Sequence, residues 1–250
     1  MDLVFVVAGV AGVLLVGWLG IARVGERGRT AQCARNLALL GEGMLSYAGS
    51  HEQSLPPAYV WTPELKTTWD TRLMTILSSP SSKKDTRPAL FVCPSDRLKR
   101  DSPRSYAMSQ HDMKPENWPL GANNATGLGL AWTETTIKKY LPDNKRAEGP
   151  TIDELSLIKL SMILEPADTL LLSELISATN KFRHAAQSGL DGPSIQLEFL
   201  KGDGKVFHGG RFNYLMLDGH VELLSSHETQ NVGIGDANWH LGIWTIKAGD

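Results

Sequence analysis

The sequence predicts an α+β fold: an N-terminal helix that begins as a transmembrane segment and continues as an amphipathic one, followed by an antiparallel β-sheet domain with long loops. Three observations predict it. Residues 3–22, LVFVVAGVAGVLLVGWLGIA, carry no charge. Cys33, Leu37, Leu40, Met44 and Ala48 then follow at steps of four, three, four and four, which is one face of an α-helix. Beyond them come short β-rich runs between turn residues, and a helix followed by strands points to an antiparallel α+β arrangement.

Taken in order, residues 3–22 at ~1.5 Å per residue span ~30 Å, the thickness of a bilayer hydrocarbon core. Asp2 and Arg23 bracket the run. A cleaved signal peptide needs a basic n-region and a small-residue cleavage site, and neither stands out. Gly9, Gly12 and Gly17 are common in transmembrane helices, and Ala8 with Gly12 fits a small-xxx-small contact, a pattern that also arises by chance. The helix continues to about Ala48, with Gly49 as its cap and Pro56-Pro57 forbidding continuation. Gly25 and Gly28 suggest a bend there. The organisation is thus a transmembrane anchor over 1–22, an amphipathic helix over 23–50, and a globular β-rich domain over 51–250.

In the globular part, Thr71–Ser78 reads as a short helix, with Trp61 and Trp69 as packing anchors. Residues 79–88 read as a loop. Ala89–Val92 and Ser105–Met108 read as strands, and 109–150 as a long irregular excursion. Leu157–Leu164 and Thr169–Glu174 read as paired strands around a turn, 177–206 as loop, and Ile243–Ile246 as a last strand. The clearest local signal is Phe212–Leu217, then Asp218-Gly219, then His220–Leu224. Asp-Gly between two β-rich runs marks a hairpin, and a type I′ turn is the expectation.

Twenty-five basic and twenty-seven acidic side chains leave a net charge of −2, and no basic stripe stands out. Nucleic acid is therefore not an expected partner. The two cysteines, Cys33 and Cys93, leave two readings open. In an oxidising compartment they can pair, closing a loop of about 60 residues worth up to ~4 kcal/mol in the chain-entropy model. Otherwise they are two buried free thiols. Asn124-Ala125-Thr126 matches a glycosylation sequon, a triplet common by chance.

Six motifs in order carry a resemblance. They are Gln32-Cys33-Ala34-Arg35-Asn36-Leu37, Leu55-Pro56-Pro57-Ala58-Tyr59, Phe91-Val92-Cys93-Pro94-Ser95-Asp96 and Ser105-Tyr106-Ala107-Met108. His208-Gly209-Gly210 with Asp218-Gly219-His220-Val221 follows, and then Gly242–Asp250. Together they resemble the prepilin-type proteins of the pseudopilin G class that carry an H-x9-DG domain; nine residues separate His208 from Asp218. The resemblance implies a membrane-anchored, pilin-like subunit of a type II secretion or type IV pilus-like filament, and no enzyme. Its partners would be the lipid bilayer and sister subunits packed through the N-terminal helix. The alternative is an anchored extracytoplasmic ligand-binding protein that does not assemble. An anchored hydrolase is a third class, for which the sequence offers no site.

Members of that family open with a basic leader and a Gly-Phe-Thr-Leu-Ile-Glu junction. Counting back from Cys33, Asp2 falls near the early glutamate and is the candidate pilin carboxylate. The expectation is that the leader is missing from this sequence or was lost in this member. Arg23, Arg27, Arg29 and Arg35 all follow the anchor, so the positive-inside rule alone would put the domain in the cytoplasm. The resemblance implies the opposite, a single-pass protein of the inner membrane with an extracytoplasmic domain, and that is the expectation adopted.

Within the H-x9-DG motif, an extended strand at ~3.3 Å per residue separates His208 from Asp218 by roughly 20–30 Å. The motif therefore reads as structural: Gly209 and Gly210 turn the chain, the strand pairs, and Asp218-Gly219 makes the hairpin. No catalytic residue and no metal ligand set is read from the sequence, since the seven histidines do not cluster at ligand spacings. His220 and Glu222 read as a surface pair. Calcium is the one cofactor left open, by the Gly-rich segments around Asp191, Asp203, Asp218 and Asp236.

Overall fold

The computed structural model describes residues 2–77, 87–110, 127–185, 188–190, 196, 207–225, 228–229 and 242–244; the side chains of 2–24, 87–88, 147–148, 190 and 242 lie outside the description. A single helix, α1 (Asp2–Ser50), of 49 residues opens the chain. Its helical hydrogen bonding runs on through Gly25 and Gly28. The side chains of the segment expected to anchor the chain, and the Asp2 carboxyl, lie outside the described residues. Among the residues whose side chains are described, which exclude 2–24, no helix is long and apolar enough to cross a membrane.

The amphipathic half of α1 builds the core. Cys33, Leu37, Leu40, Met44 and Ala48 are all fully buried, as the four-three-four-four spacing requires of one helix face. They pack on a five-stranded sheet in the order β6-β3-β5-β7-β8. Its strands are β3 (Tyr106–Ser109), β5 (Leu170–Glu174), β6 (Gly189–Leu190), β7 (Phe212–Met216) and β8 (Val221–Leu224). A three-stranded sheet, β2-β1-β4, uses β1 (Tyr59–Trp61), β2 (Lys66–Thr68) and β4 (Ala131–Thr133). The fold is α+β with mostly antiparallel pairing, but β1–β4 and β3–β6 pair in parallel.

Close approach of α1 to β7 depends on Gly41. A Cβ there would stand 3.0 Å from Leu215 Cδ2, so a side chain at this position would force Leu215 to shift by a few tenths of an ångström. On the opposite sheet face, Tyr214 donates its hydroxyl to Gln196 Oε1 at 2.8 Å and stands edge-on to Trp244. Strand β7 is therefore buried on both sides, and all five residues are inaccessible.

The remaining helices are α2 (Trp69–Leu77), α3 (Glu134–Tyr140), α4 (Asp143–Glu148) and α5 (Ile152–Leu155). Helices α3 and α5 start at capping boxes, Thr133 with Thr136 and Thr151 with Glu154.

Several sequence expectations are corrected. Ala89–Val92 is not a strand: Arg87–Phe91 is a 3-10 turn, in which Pro88 has no N–H to give a ladder. The turn seats Phe91 between Trp69 and Phe182, with ring centroids 5.7 and 5.0 Å away. Leu157–Leu164 does not pair with Thr169–Glu174. It makes one isolated bridge at Lys159 and a 3-10 turn at Leu160–Met162, and it leaves Met162 and Leu164 exposed. Gly242–Trp244 is a 3-10 turn, with residues 245 and 246 outside the description. The stretches that read as irregular or loop, 109–150 and 177–206, contain β4, α3, α4 and β6, and β1 and β2 lie between 51 and 70, where the sequence marks no element; the helix expected at Thr71–Ser78 is α2. Residues 111–126, with the sequon, are not described.

The β7–β8 turn also differs in type. Leu215 pairs with Val221, Met216 N donates to His220 O, and Gly219 N donates to Met216 O. Gly219 has φ +97° but Asp218 is not at positive φ. Three residues, Leu217-Asp218-Gly219, make the loop, a type I turn closed by a glycine bulge rather than a two-residue type I′ turn.

Candidate functional site

The site forms where α1, the segment after the 3-10 turn, β5 and the approach to β7 meet. Cys33 on α1 and Cys93 are joined by a disulfide with Cα atoms 5.0 Å apart. Asn36, one turn on from Cys33, donates Nδ2 to Val92 O at 3.2 Å, and Tyr106 donates its hydroxyl to Cys33 O at 3.5 Å. The helix is thus held to the loop and to β3 around the same point.

His208 lies against this disulfide. Its backbone is at φ +44°, an uncommon conformation for a non-glycine residue, and the next residues turn the chain with Gly210 N donating to Phe207 O at 2.7 Å. The imidazole is buried. Its Nε2 is 3.1 Å from Glu174 Oε1 and 3.4 Å from Cys93 Sγ. Its Nδ1 is 3.1 Å from Glu26 Oε1 and 2.8 Å from Thr30 Oγ1. One ring therefore connects a helix carboxylate to a sheet carboxylate across the core.

Both carboxylates have further partners. Glu174, fully buried, accepts Asn213 N at 2.7 Å on Oε2 and Asn213 Nδ2 at 3.1 Å on Oε1. Glu26 accepts Ser95 Oγ at 2.7 Å, Arg29 Nη2 at 2.6 Å and the His208 amide at 3.3 Å. Burial alone would raise the Glu26 carboxyl, but these hydrogen bonds and the Arg29 charge bring it down to about 2. Burial alone would lower the His208 imidazole. The hydrogen bond and charge of Glu174, and then those of Glu26, outweigh it and hold the ring above its ordinary 6.5.

The Phe91–Asp96 motif is accounted for residue by residue. Cys93 makes the disulfide, Ser95 donates to Glu26, and Asp96 Oδ2 accepts Arg100 Nη2 at 2.5 Å and Ser105 Oγ at 2.6 Å. A second buried network lies beyond it. Asp70 on α2 and Arg104 are both inaccessible and pair at 2.9 Å, while Arg104 Nε donates to Asn180 Oδ1 at 2.7 Å and Arg183 N to Asp70 Oδ2 at 2.9 Å.

The two ends of the H-x9-DG motif do separate work. His208 bridges helix and sheet. Asp218, at the exposed hairpin tip, accepts His220 N at 3.0 Å and approaches the His220 ring at 2.6 Å. No described residue is a shared partner of the two. His220 and Glu222 are an exposed pair at 3.5 Å. Of the calcium candidates, Asp191, Asp203 and Asp236 lie outside the described residues, and Asp218 caps its own turn.

Glu26, Thr30 and Glu174 are the site residues that sequence reasoning missed. The Cys33 and Cys93 sulfurs, a Glu174 oxygen and a His208 nitrogen lie within 4.8 Å of one another. This clustering departs from the absence of ligand sets read from histidine spacing, because these donors come from four separate parts of the chain. While the sulfurs are bonded to each other they are not thiolate ligands, and both ring nitrogens are engaged. In this state the cluster holds no free nucleophile. Comparisons with protein-family models, curated proteins and solved structures find no match to this chain.

Proposed function

We propose that this chain is a membrane-anchored, pilin-like subunit without enzymatic activity, a structural component of a type II secretion or type IV pilus-like filament. The observation that carries the reading is the length of α1. One helix of 49 residues is roughly 70 Å long, and among the described side chains it is the stretch from Cys33 to Ala48 that builds the domain core. The uncharged run 3–22 precedes that stretch on the same helix and is long enough for a hydrocarbon core. Glu26, Thr30 and Cys33 fasten the helix to the domain directly after the run, so the domain is tied to the anchor without a linker. A buried disulfide suits an oxidising, extracytoplasmic compartment. The anchor would hold the protein in the inner membrane and pack against sister helices there.

A second reading, the anchored ligand-binding protein that does not assemble, is favoured by one feature. A groove of about 450 Å³ lies between the β1–β2 turn and α3, floored by Val60, Leu65 and Ile137 and flanked by Glu64, Glu134 and Lys138. That is the size of a small-molecule site.

Fractionation and cross-linking of the full chain separate the readings. Ala8→Cys and Gly12→Cys variants expressed in a Gram-negative envelope should stay with the membrane and give a ladder of oxidised oligomers. Arginine at both Leu14 and Leu15 should release the protein, costing several kcal/mol of insertion. Membrane retention with no ladder at any expression level would favour the second reading. Full-length protein soluble without detergent would overturn both.

A further inference from the structure

We propose that reduction of the Cys33–Cys93 disulfide converts this buried cluster into a tetrahedral zinc site, with Cys33 Sγ, Cys93 Sγ, His208 Nε2 and one oxygen of Glu174 as ligands. The donor set is of the kind zinc takes: two thiolates, one imidazole and one carboxylate, bound at ~2.0–2.3 Å. Such a tetrahedron spaces its donors ~3.3–3.8 Å apart. The four donors already lie within 4.8 Å of one another, and Cys93 Sγ is 3.4 Å from His208 Nε2. The metal and the disulfide exclude each other, because two bonded sulfurs cannot stand at tetrahedral separation and carry no thiolate charge. The oxidised chain is closed by a covalent bond and the reduced chain by a metal, at the same place in the core.

The outer contacts are also those of a metal site. A ligating histidine offers one nitrogen to the metal and donates its other N–H to a carboxylate, which fixes tautomer and ring orientation. Here Nε2 faces the sulfurs and Glu174, while Nδ1 faces Glu26 Oε1 at 3.1 Å. Glu174 is itself held by the Asn213 amide and side chain, at 2.7 and 3.1 Å. Glu26 is fixed by Ser95 and Arg29. The soft thiolates argue against calcium or magnesium.

The chemistry balances in two steps. The disulfide takes two electrons and two protons from a dithiol, which leaves as its own disulfide, and two thiols remain. Zinc then displaces the two thiol protons to form two zinc–sulfur bonds. The site does not depend on the filament reading, since no ligand comes from the anchor.

The test uses the full chain in detergent, oxidised or reduced with a water-soluble phosphine that leaves as its oxide. Reduced protein should bind one cobalt(II) per chain, with sulfur-to-cobalt charge transfer and the intense visible bands of a tetrahedral centre. One equivalent of zinc should displace the cobalt. Oxidised protein should bind none. His208→Ala and Glu174→Gln should each weaken binding at least tenfold, and Glu26→Gln about 10–100-fold as an outer-shell residue. Two cysteines of an unfolded chain also attract zinc, so the titration is repeated in urea, where the tetrahedral signature should vanish. Alkylation adds a readout independent of spectra: zinc should slow modification of both thiols in the wild-type chain and not in His208→Ala. Reduced protein that takes up no cobalt, or takes it up equally in His208→Ala or in urea, would overturn the site.

Discussion

Nε2 of His208 stands 3.1 Å from Oε1 of Glu174, with both side chains fully inaccessible. Glu174 is the end of β5 and His208 lies just before β7, so this contact closes the sheet beneath α1. Through its other nitrogen, His208 carries the connection on to Glu26 of the helix.

Glu174 is consequently the residue whose loss should hurt most. Glu174→Leu removes the acceptor for Asn213 N, Asn213 Nδ2 and His208 at once and leaves the buried His208 ring with one partner fewer. The expected cost is about 3–5 kcal/mol, the usual penalty for breaking one side of a buried ionic contact. Glu174→Gln keeps an acceptor oxygen and should cost less. Urea denaturation at fixed pH measures both. A Glu174→Leu protein within ~0.5 kcal/mol of the parent, as for an ordinary surface change, would show that the network contributes little.

The same residues set a pH window. His208 is raised above 6.5, so its stabilisation is fully present below 6.5 and is lost as pH rises through the folded-state value. Glu26 is depressed from 4.5 to about 2, so its stabilisation is present above 4.5 and is lost as pH falls through about 2. Urea midpoints should therefore be highest between pH 4.5 and 6.5 and fall on either side. His208→Gln should flatten the alkaline fall and leave most of the acid one. An alkaline limb that survives unchanged in His208→Gln would assign it to another group.

How much of this was legible in the sequence differs from part to part. The stripe Cys33, Leu37, Leu40, Met44 and Ala48 was readable because five positions define a helical period, and each is buried. Strands β3, β5, β7 and β8 were readable as runs of four or five β-rich residues. Strands β1, β2 and β4 have three residues each, too few to show any period. The capping box Thr151-Ile152-Asp153-Glu154 was a signal in plain view, missed in the residues between the irregular stretch 109–150 and Leu157, to which no element was assigned. His208 stood out through its motif, but Glu26 and Glu174 did not. They lie 182 and 34 residues from it, and no local spacing encodes contacts that only the folded sheet creates.

The Asp70–Arg104 pair should behave as a coupled unit. Asp70→Ala leaves Arg104 buried without its carboxylate, and Arg104→Met leaves Asp70 with hydroxyl and amide donors only. Each single change should cost about 3–5 kcal/mol. The double variant should cost clearly less than the two added together, because the second change removes a charge that the first had stranded. A double-mutant cycle in urea reads the coupling. Strict additivity would mean that Asn180 and the His184 carbonyl satisfy Arg104 without Asp70.

The hairpin tip offers a test of conformation separate from packing. Gly219 sits at φ +97°, and a Cβ built there meets nothing within 4 Å, so any penalty for a side chain is backbone strain and not a clash. Gly219→Val should cost about 1–3 kcal/mol, since β-branched residues tolerate positive φ poorly. Gly219→Asn should cost less, because asparagine is enriched at positive φ. Asp218→Ala probes the other half of the turn, where the carboxylate accepts the His220 amide at 3.0 Å in an exposed setting. It should cost no more than about 1.5 kcal/mol. The order Val, then Asn, with Asp218→Ala small, follows from a glycine bulge with Asp218 outside the left-handed region. A type I′ turn would instead need positive φ at both residues and make Asp218→Ala the more damaging change. Urea midpoints of the three variants, read against the parent, distinguish the two turns.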